Sequence, residues 1–314
     1  MASTKQEVFI LGPTATGKTE LAMDCLRNFP LEIISVDSAQ IYRHFDIGSA
    51  KLSRDEQIKY PHRLIDIIDP NQTYSAAQFI NDYKKHKNEI YANGNSPLLV
   101  GGTMMYFNAI FNPMNDLPAS TPESRAYVNN LLLEEGLQTL YEKLSNVDPV
   151  YAKKINASDT QRILRALEVF HLSGHPITFF HKNHTQPKEN KGILKLALLP
   201  NDRVRLHERI ALRVDRMLDD NFIEEVKNIL KLYPDLDNSY PSIRCVGYKQ
   251  IFLYLKNEIT KTDLKDKIIF ATRQLAKRQI TWLRQMQQLE VIDPFDKNIK
   301  NIIKNKVARF LDYK

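Results

Sequence analysis

The sequence predicts an α/β protein in which helices flank a parallel sheet, plus an all-helical insertion domain. Three features of the 314 residues support this prediction. Short apolar runs alternate with helical patterns over roughly the first hundred residues, which is typical of βαβ units. A segment rich in Asn and Pro near residue 112 then leads into helical patterns only. After residue 191 a strand pattern returns, and most of the remaining chain is helical in pattern.

The strands of the core are predicted from short apolar runs. The first, Glu7–Leu11, is followed by a Gly-rich turn and a helix. The second is Leu31–Val36, and the third is Pro97–Val100, which Gly101-Gly102-Thr103 closes. Strand character returns in Gly192–Leu199. Because helices separate these short, strongly apolar runs, we expect them to pair as a parallel sheet.

Helical patterns fill most of the rest of the chain. A helix over Ser75–Asn93 is predicted by the capping-box spacing of Ser75 and Gln78. Residues 112–122 are predicted to form a linker, residues 123–173 are helical in pattern, and a polar stretch continues to residue 191. Three further helices are predicted at Asp202–Leu232, Gln250–Lys256 and Thr262–Leu289. We therefore assign residues 1–112 and 192–314 to the core with its C-terminal helices, and residues 113–191 to the insertion domain.

The composition is that of an ordinary globular protein. Hydrophobic residues make up 43% and charged residues 26%, which excludes collagen-like and disordered chains. No apolar run reaches the roughly 18 residues that a membrane-spanning helix needs, and the N-terminus lacks the pattern of a secretion signal. Two cysteines, Cys25 and Cys245, cannot build a disulfide framework. We therefore expect a cytoplasmic protein.

The net charge of +7 is concentrated late in the chain. The segment from Arg244 to Arg284 contains ten basic and three acidic side chains, a surplus equal to that of the whole chain. A localised basic stripe is expected of a protein that binds a nucleic acid. A solvated helix face has the same pattern, so charge alone leaves both interpretations open.

The turn after the first strand matches the phosphate-binding motif G-x-x-x-x-G-K-[ST] at every fixed position. It consists of Gly12, Pro13, Thr14, Ala15, Thr16, Gly17, Lys18 and Thr19. The glycines let backbone N–H groups point at phosphate oxygens, Lys18 adds a cation, and the Thr19 hydroxyl is a ligand for Mg²⁺. The motif usually binds ATP or GTP, and it predicts a P-loop NTPase-like core. It does not identify the ligand, because it binds phosphates and not a base.

Asp37 follows the second strand and has two possible roles. It can hold Mg²⁺ beside the P-loop, as in a kinase. It also opens Asp37-Ser-Ala-Gln-Ile-Tyr42, whose hydroxyl, amide and aromatic groups could hold an acceptor that Asp37 deprotonates. A small-molecule or nucleoside kinase would explain the P-loop but would give no function to the basic C-terminal half. A non-catalytic RNA-binding protein is disfavoured by Asp37 and Thr103 beside the loop.

Basic side chains recur at helical spacing. Arg205, Arg209, Arg213 and Arg216 fall within a sector of roughly 80°, suited to a diphosphate or to a nucleic-acid backbone. On the last long helix, Arg273, Lys277 and Arg284 share a narrower stripe. Trp282 lies away from that stripe, so we expect it in the core. A solvated face remains the alternative for both stripes.

Two further segments combine basic ends with small, polar or aromatic residues. Arg162 and Arg165 share a face of the segment Gln161–Arg165, with apolar side chains behind them. In Arg244–Lys249, Gly247 allows a close backbone approach and Tyr248 offers a ring to a base. An ordinary turn at the start of a helix is the alternative for the second segment.

Together these residues resemble a known family. The motifs are Gly12-Pro-Thr-Ala-Thr-Gly-Lys-Thr19, Ser35-Val-Asp-Ser-Ala-Gln-Ile-Tyr42, Asp46-Ile-Gly-Ser-Ala-Lys51, Pro61-His-Arg-Leu64, Leu99-Val-Gly-Gly-Thr-Met-Met-Tyr106, Gln161-Arg-Ile-Leu-Arg165, Ser242-Ile-Arg-Cys-Val-Gly-Tyr248 and Leu275-Ala-Lys-Arg-Gln-Ile-Thr-Trp-Leu-Arg284. The chain resembles the tRNA isopentenyltransferase (tRNA dimethylallyltransferase) family from about residue 7 to residue 285. The longer eukaryotic members of the family carry a C-terminal zinc finger. This sequence has no Cys or His after Cys245, so it resembles the bacterial members in length.

The resemblance implies a reaction and a set of roles. The family transfers a dimethylallyl group from dimethylallyl diphosphate to the exocyclic amine of the adenosine 3′-adjacent to certain tRNA anticodons. By resemblance, the P-loop binds the diphosphate with Mg²⁺ on Thr19, aided by Arg209, Arg213 and Arg216. Asp37 is then the general base, and Thr103 orients the site.

The same resemblance implies the partners. They are tRNA, through its anticodon stem-loop, and dimethylallyl diphosphate, with no membrane and with the enzyme expected to be a monomer. The implied tRNA-binding residues are Asp37, Ser38, Ala39, Gln40, Thr103, Arg125, Gln161, Arg162, Ile163, Leu164, Arg165, Arg244, Cys245, Val246, Gly247, Tyr248, Lys249, Lys277, Arg278, Gln279, Ile280, Thr281, Trp282, Leu283 and Arg284. The insertion domain is implied to clasp the anticodon stem.

Overall fold

A parallel sheet organises the core of the protein. The computed structural model describes residues 5–112, 117–182 and 192–312. The strands are β1 (Glu7–Leu11), β2 (Leu31–Val36), β3 (His62–Arg63), β4 (Ser96–Gly101), β5 (Ile193–Leu198) and β6 (Glu290–Ile292). They pair in the order β3-β2-β4-β1-β5-β6, and every pairing is parallel. The predicted α/β fold class with a parallel sheet is confirmed.

Helices account for most of the other described residues. Before the insertion they are α1 (Lys18–Asn28), α2 (Arg54–Lys59), α3 (Ala76–Ala92) and α4 (Met104–Phe111). Within the insertion and after it come α5 (Pro122–Val147), α6 (Pro149–Ala152), α7 (Thr160–Ser173), α8 (Ile177–Lys182), α9 (Arg203–Asp219), α10 (Phe222–Leu232), α11 (Tyr248–Leu255), α12 (Lys261–Gln285) and α13 (Ile299–Phe310). The capping box predicted before α3 is present, with Ser75 and Gln78 bonding each other's backbone N–H groups.

The described residues form two compact units. The first contains the sheet and comprises the chain up to residue 107 and from residue 192 onward. One face of its sheet, including Val8 and Ile33, packs against α1 and α13. A second cluster joins α9 to α12 around Phe45 and Tyr248, whose rings stack at 3.9 Å between centroids. Burial of these apolar faces provides the main stabilisation of the unit.

The second unit, residues 108–182 of the described chain, is entirely helical. Its core contains Leu140 and Leu144 of α5 together with Ile163 and Val169 of α7. Gly136 interrupts α5 with a φ of +78°, a left-handed conformation that suits glycine. Residues 113–116 of the predicted linker and residues 183–191 of the predicted polar stretch lie outside the described residues.

Some elements differ from the sequence prediction. The helix predicted over Asp202–Leu232 is two helices, because Asn221 adopts a φ of +68° between α9 and α10. Asn tolerates this conformation better than most residues. The last long helix ends at Gln285, and the short strand β6 follows it. Among the described helices, none is long and apolar enough to cross a bilayer.

Candidate active site

The ends of three strands meet at one edge of the sheet. The P-loop follows β1, Asp37 follows β2 and Thr103 follows β4. The backbone N–H of Thr103 donates to the Val36 carbonyl at 3.1 Å. A side chain at Gly101 would place Cβ 2.0 Å from the Val36 oxygen, so only glycine permits this close approach. The carboxyl edge of a parallel sheet is where such folds bind their ligands.

The P-loop is held in a shape that suits an anion. Ala15 and Gly17 have φ values of +64° and +81°, and left-handed residues of this kind form concave nests of N–H groups. Thr16 donates its hydroxyl to the Pro13 carbonyl at 2.8 Å, and Lys18 Nζ donates to the same oxygen at 2.7 Å. Gly17 caps α1 without a side-chain hydrogen bond, which leaves the helix N-terminus available to a phosphate.

Three charged groups influence one another at the loop. Burial lowers the pKa of Lys18 to about 8, with Asp37 opposing the shift and Arg213 adding to it. Burial also lowers the pKa of Arg213, and Asp37 again opposes. Arg213 remains charged, since a guanidinium does not lose its proton in proteins at neutral pH. Two desolvated cations beside a single carboxylate give the site a surplus of positive charge that suits a diphosphate.

The arginine stripe of α9 contributes three side chains to the same site. A cleft of about 1190 Å³ is lined by Ala15 and Gly17 of the P-loop and by Arg209, Arg213 and Arg216. Segment 43–58 supplies much of its other wall. The helical spacing thus brings together the three arginines that the sequence assigned to the diphosphate.

Arg205, one turn earlier on the same helix, lies outside this cleft. Its guanidinium is 4.6 Å from the centre of the Phe295 ring, and it donates to the Phe295 carbonyl at 3.4 Å. Arg209 lies between the two environments, since it lines the cleft and its guanidinium is 5.6 Å from the centre of the same Phe295 ring.

The Asp37 carboxylate is fixed through one oxygen. Oδ1 accepts the backbone N–H groups of Ala39 at 2.8 Å and Gln40 at 3.3 Å. Within the described residues, Oδ2 has no hydrogen-bond donor and can receive one from a substrate. Thr103 Oγ1 accepts the Ser38 N–H at 2.9 Å and donates to the Ser38 hydroxyl at 3.2 Å. Asp37 is therefore held in place with one oxygen open, as a base acting on a bound amine requires.

Glu225, a residue that the sequence did not single out, holds the loop Asp46–Lys51, part of which lines the cleft. Glu225 accepts the N–H groups of Ile47 at 2.6 Å and Gly48 at 3.2 Å, together with the Tyr248 hydroxyl at 2.7 Å. Burial raises the pKa of this carboxyl. The Ser49 carbonyl accepts from Arg213 at 3.4 Å. The motif Asp46–Lys51 signalled this loop, whereas nothing in the sequence around Glu225 signalled its role.

The predicted tRNA-binding residues of the first unit differ in exposure. On α12, the side chains of Lys277, Arg278, Thr281, Trp282 and Arg284 are exposed, whereas Gln279 and Leu283 are buried and Ile280 is half-buried. Trp282 was expected in the core, which is wrong because 38% of it is exposed. The exposed residues keep side chains that RNA can contact.

The segment before α11 divides in a similar way. Arg244 and Lys249 are exposed, Cys245 and Val246 are half-buried, and Tyr248 is buried. Gly247 has a φ of +89° at the cap of α11, and a Cβ there would lie 2.8 Å from the Phe222 ring. The glycine is thus required by a turn at the start of a helix.

The helical unit organises two of its predicted tRNA contacts through one buried carboxylate. Glu168, 3% exposed, accepts Arg165 at 2.6 Å and the Ser124 hydroxyl at 2.6 Å, and also the Ser120 hydroxyl. Arg125 Nε donates to the same Ser120 oxygen at 2.8 Å. Burial opposes ionisation of Glu168, but these hydrogen bonds outweigh it and lower its pKa. Gln161 and Arg162 of α7 are exposed, Ile163 is buried and Leu164 is half-buried.

The residues present fit a magnesium ion that is bound together with a phosphate. No described residue hydrogen-bonds to the hydroxyl of Thr19, which lies next to Lys18. Among the described residues there is also no cluster of three or more His, Cys, Asp or Glu that could hold a metal. Mg²⁺ commonly takes one or two ligands from a protein and the rest from phosphate and water, so the single hydroxyl of Thr19 is compatible with such a site.

Comparison with known proteins decides the family. The family model described as IPP transferase matches residues 40–286. This chain belongs to the IPP transferase family. The match includes Asp46–Lys51, Thr103, the helical unit and α12, and it ends at Met286, one residue after that helix.

Individual relatives agree with this assignment. This chain is 44% identical over 286 residues to a tRNA dimethylallyltransferase of Nitrosomonas eutropha, covering 91% of this chain and 90% of the relative. It is 48% identical to a tRNA dimethylallyltransferase of Legionella pneumophila, with 96% of each covered. The solved full-length tRNA isopentenylpyrophosphate transferase of Bacillus halodurans superposes with a TM-score of 0.68 at 34% identity, covering 98% of this chain and 97% of that one. These relatives give no support to the kinase alternative.

Proposed function

We propose that this protein moves a dimethylallyl group from dimethylallyl diphosphate to the exocyclic amine of the adenosine 3′-adjacent to the anticodon of tRNA. The single observation that carries the proposal is that the P-loop after β1 and Asp37 after β2 lie at the same end of one parallel sheet, on either side of β4. The Asp37 charge also acts on Lys18 of the loop and on Arg213 of α9. A site with an open carboxylate and a cationic phosphate loop can serve an acceptor and a diphosphate donor together.

The cations stabilise the leaving group. As the allylic C–O bond breaks, its electron pair goes to the diphosphate, and the carbon becomes cationic. Lys18, Arg213 and the N-terminus of α1 face the growing negative charge from a desolvated site, where such interactions are strongest. Arg209 and Arg216 line the same cleft from α9. Of the three arginines, Arg209 brings Nη2 to 3.7 Å from the position that a Cβ of Gly17 would take, and Arg213 acts electrostatically on Lys18, so we assign both to the diphosphate.

Magnesium fits this site through Thr19. When bound, Mg²⁺ would neutralise part of the diphosphate charge. The chain's own contribution is the Thr19 hydroxyl, with Lys18 and Arg213 as neighbouring cations.

Asp37 receives the proton of the acceptor. The adenine amine attacks the allylic carbon, a C–N bond forms, and the amine proton passes to the Asp37 carboxylate. An ordinary carboxylate is adequate, because the amine becomes acidic only as it is alkylated. Thr103 fixes the Ser38 backbone next to this carboxylate. The roles of Asp37 and Thr103 are thus those of base and orienting residue.

The adenosine must leave its stack to reach this edge of the sheet. Enzymes that act on a base extrude it into a pocket and read its edge by hydrogen bonds. The exposed cations of α12 and the segment before α11 supply phosphate contacts in the first unit, and Arg125, Arg162 and Arg165 supply them in the second. The open oxygen of the Asp37 carboxylate is available to the flipped adenine, whereas the Gln40 amide already accepts the Ser35 hydroxyl at 3.2 Å and donates to the Ser49 carbonyl at 3.4 Å.

The proposal is tested by the fate of labelled dimethylallyl diphosphate. The enzyme is incubated with Mg²⁺, the labelled donor and an unmodified tRNA transcript, and nucleosides are separated after digestion. We expect label on one adenosine, and none in a matched transcript with guanosine at the position 3′ of the anticodon. Equal label in both transcripts, or no label in either, would refute the proposed acceptor.

A further inference from the structure

Gln279 is the one buried polar side chain in the middle of the cationic segment Lys277–Arg284 of α12. It is 8% exposed, whereas Lys277 and Arg278 before it are exposed. A buried amide needs hydrogen-bond partners to offset the cost of its desolvation. The partners that it finds belong to the candidate active site.

The Gln279 amide bridges two parts of that site. Its Oε1 accepts the backbone N–H of Thr14 at 2.9 Å, and its Nε2 donates to the carbonyl of Gly102 at 2.8 Å. Only one orientation of the amide satisfies both contacts, because a backbone N–H can only donate and a carbonyl can only accept. Thr14 is in the P-loop, and Gly102 directly precedes Thr103.

Gly102 permits this contact by lacking a side chain. A Cβ at this position would lie 2.5 Å from Gln279 Nε2 and 3.2 Å from the Gly12 carbonyl. Any larger residue would displace the amide or the P-loop. The close approach therefore depends on the pair Gly102 and Gln279, which are 177 residues apart.

We propose that Gln279 is a positioning residue that keeps the P-loop and the Gly102–Thr103 segment in register. The inference rests on the proposed function, in which the loop holds the donor and Thr103 orients the acceptor side. Gln279 connects the two reactant sites from the helix whose exposed residues are assigned to tRNA. It also engages the Thr14 N–H, which is then unavailable to the diphosphate.

The two hydrogen bonds of Gln279 with Thr14 and Gly102 are called the clamp below. The variant Gln279→Glu tests the clamp through the pH dependence of kcat. A protonated glutamic acid has the donor and acceptor pattern of glutamine, so it can serve both Thr14 and Gly102. Once ionised, it cannot donate to the Gly102 carbonyl, and its charge opposes the diphosphate. We expect the ratio of variant to wild-type kcat to rise as the pH is lowered, with kcat reduced at least about tenfold at pH 8. The KM for tRNA should change far less than kcat.

The matched control is Gln274→Glu on the same helix. The side chain of Gln274 has no hydrogen-bond partner among the described residues, so the same chemical change there should leave the kcat ratio close to one at every pH. A pH-independent ratio for Gln279→Glu, or one equal to that of Gln274→Glu, would overturn the inference.

A readout independent of activity separates this inference from the proposed function. Amide hydrogen exchange is followed in the peptides that cover Gly12–Thr16 and Gly101–Thr103. We expect faster exchange in both peptides for Gln279→Leu and in neither for Gln274→Leu. Unchanged exchange refutes the clamp even if wild-type enzyme transfers the prenyl group. If exchange is faster in Gln279→Leu but the wild-type enzyme transfers no label, the clamp is retained and the proposed function is refuted.

A double-mutant cycle supplies a further check. Gly102→Ala removes space for the amide, and Gln279→Ala removes the amide itself. Because both changes disrupt one contact, their effects on kcat should be strongly non-additive. Additive effects would mean that the two residues act separately, which contradicts the clamp.

Discussion

The side-chain oxygen of Thr103 accepts a hydrogen bond from the backbone N–H of Ser38 at 2.9 Å. This contact joins the residues that follow β4 to those that follow β2, and it lies one residue from Asp37. Asp37 in turn caps the N–H groups of Ala39 and Gln40. Asp37, the proposed general base, is therefore positioned from two strands, and the P-loop follows the adjacent strand β1. A parallel sheet in which β4 lies between β1 and β2 brings these groups to one edge.

Removing the base should stop transfer without releasing tRNA. We expect Asp37→Asn to lower kcat by about 10²–10⁴-fold, because the amide cannot accept the proton. Affinity for tRNA, measured by filter binding, should change little. The side-chain oxygen of Asn can still accept the N–H groups of Ala39 and Gln40, so the loop keeps its shape. Substantial transfer by Asp37→Asn would show that another group takes the proton.

Thr103→Val should have a smaller effect of the same kind. The methyl group cannot accept the Ser38 N–H, so the Asp37 loop loses one anchor. Thr103→Ser retains the hydroxyl and serves as the conservative control. We expect kcat to fall for Val and to be largely preserved for Ser, and equal loss in both variants would contradict a hydroxyl-based role.

Arg209 and Arg213 of α9 should matter more to the leaving group than Arg205 of the same helix. We expect Arg213→Ala to lower kcat by about 10²–10³-fold, as the loss of a group that stabilises developing charge typically does. Arg205→Ala, on the same helix but packed against Phe295, is the control and should have little effect on kcat. We expect an effect in the same direction for Arg209→Ala, and Arg216→Ala reports whether the rest of the cleft contributes. Intact turnover in all three cleft variants would exclude a leaving-group role for the stripe.

Lys18 predicts a pH dependence for donor binding. Its pKa is lowered to about 8, so Lys18 in the free enzyme is charged below this pH and loses its charge above it. We expect kcat/KM for dimethylallyl diphosphate to fall as the pH rises through about 8. Saturating donor should suppress the effect on kcat, because a bound diphosphate favours the charged lysine. Lys18→Arg keeps its charge, so the fall should be absent from its profile, whatever its absolute activity.

The exposed cations of α12 predict a salt dependence. Each phosphate contact contributes about one unit to the slope of log K against log salt concentration. Lys277→Ala should therefore weaken tRNA binding and reduce that slope by about one. Lys304→Ala makes the same charge change on α13, outside the predicted tRNA-binding segments, and should leave the slope unchanged. Identical slopes for both variants would exclude Lys277 from the interface.

Local patterns explain why so much of the core could be predicted. The strand runs Glu7–Leu11 and Leu31–Val36 appear with the predicted bounds, because both are short, apolar and ended by turn residues. The P-loop motif has its expected strand before it and helix after it. The break at Asn221 was missed, because apolar residues continue at helical spacing on both sides of it. A single residue with a positive φ leaves no repeating pattern in the sequence.

Long-range contacts explain what could not be predicted in the site. The contact of Gln279 with Thr14 and Gly102 joins residues from distant parts of the chain, and the flanking cations suggested an exposed face. Glu225 likewise binds backbone N–H groups of Ile47 and Gly48, which carry no residue-specific signal. Trp282 was predicted to be in the core only because it lies away from the basic stripe of α12, and that spacing argument did not predict its exposure. The roles proposed for Asp37 and Thr103 come from the resemblance, because residue spacing alone left them open.

The most direct test asks whether the P-loop binds a prenyl donor or ATP for transfer to tRNA. Wild-type enzyme is given tRNA and Mg²⁺ with either prenyl-labelled dimethylallyl diphosphate or γ-phosphate-labelled ATP, and label in tRNA is counted. We expect prenyl label in tRNA without any added ATP, and no phosphate label. Phosphate transfer or ATP turnover without prenyl transfer would contradict this expectation and assign the loop to a kinase.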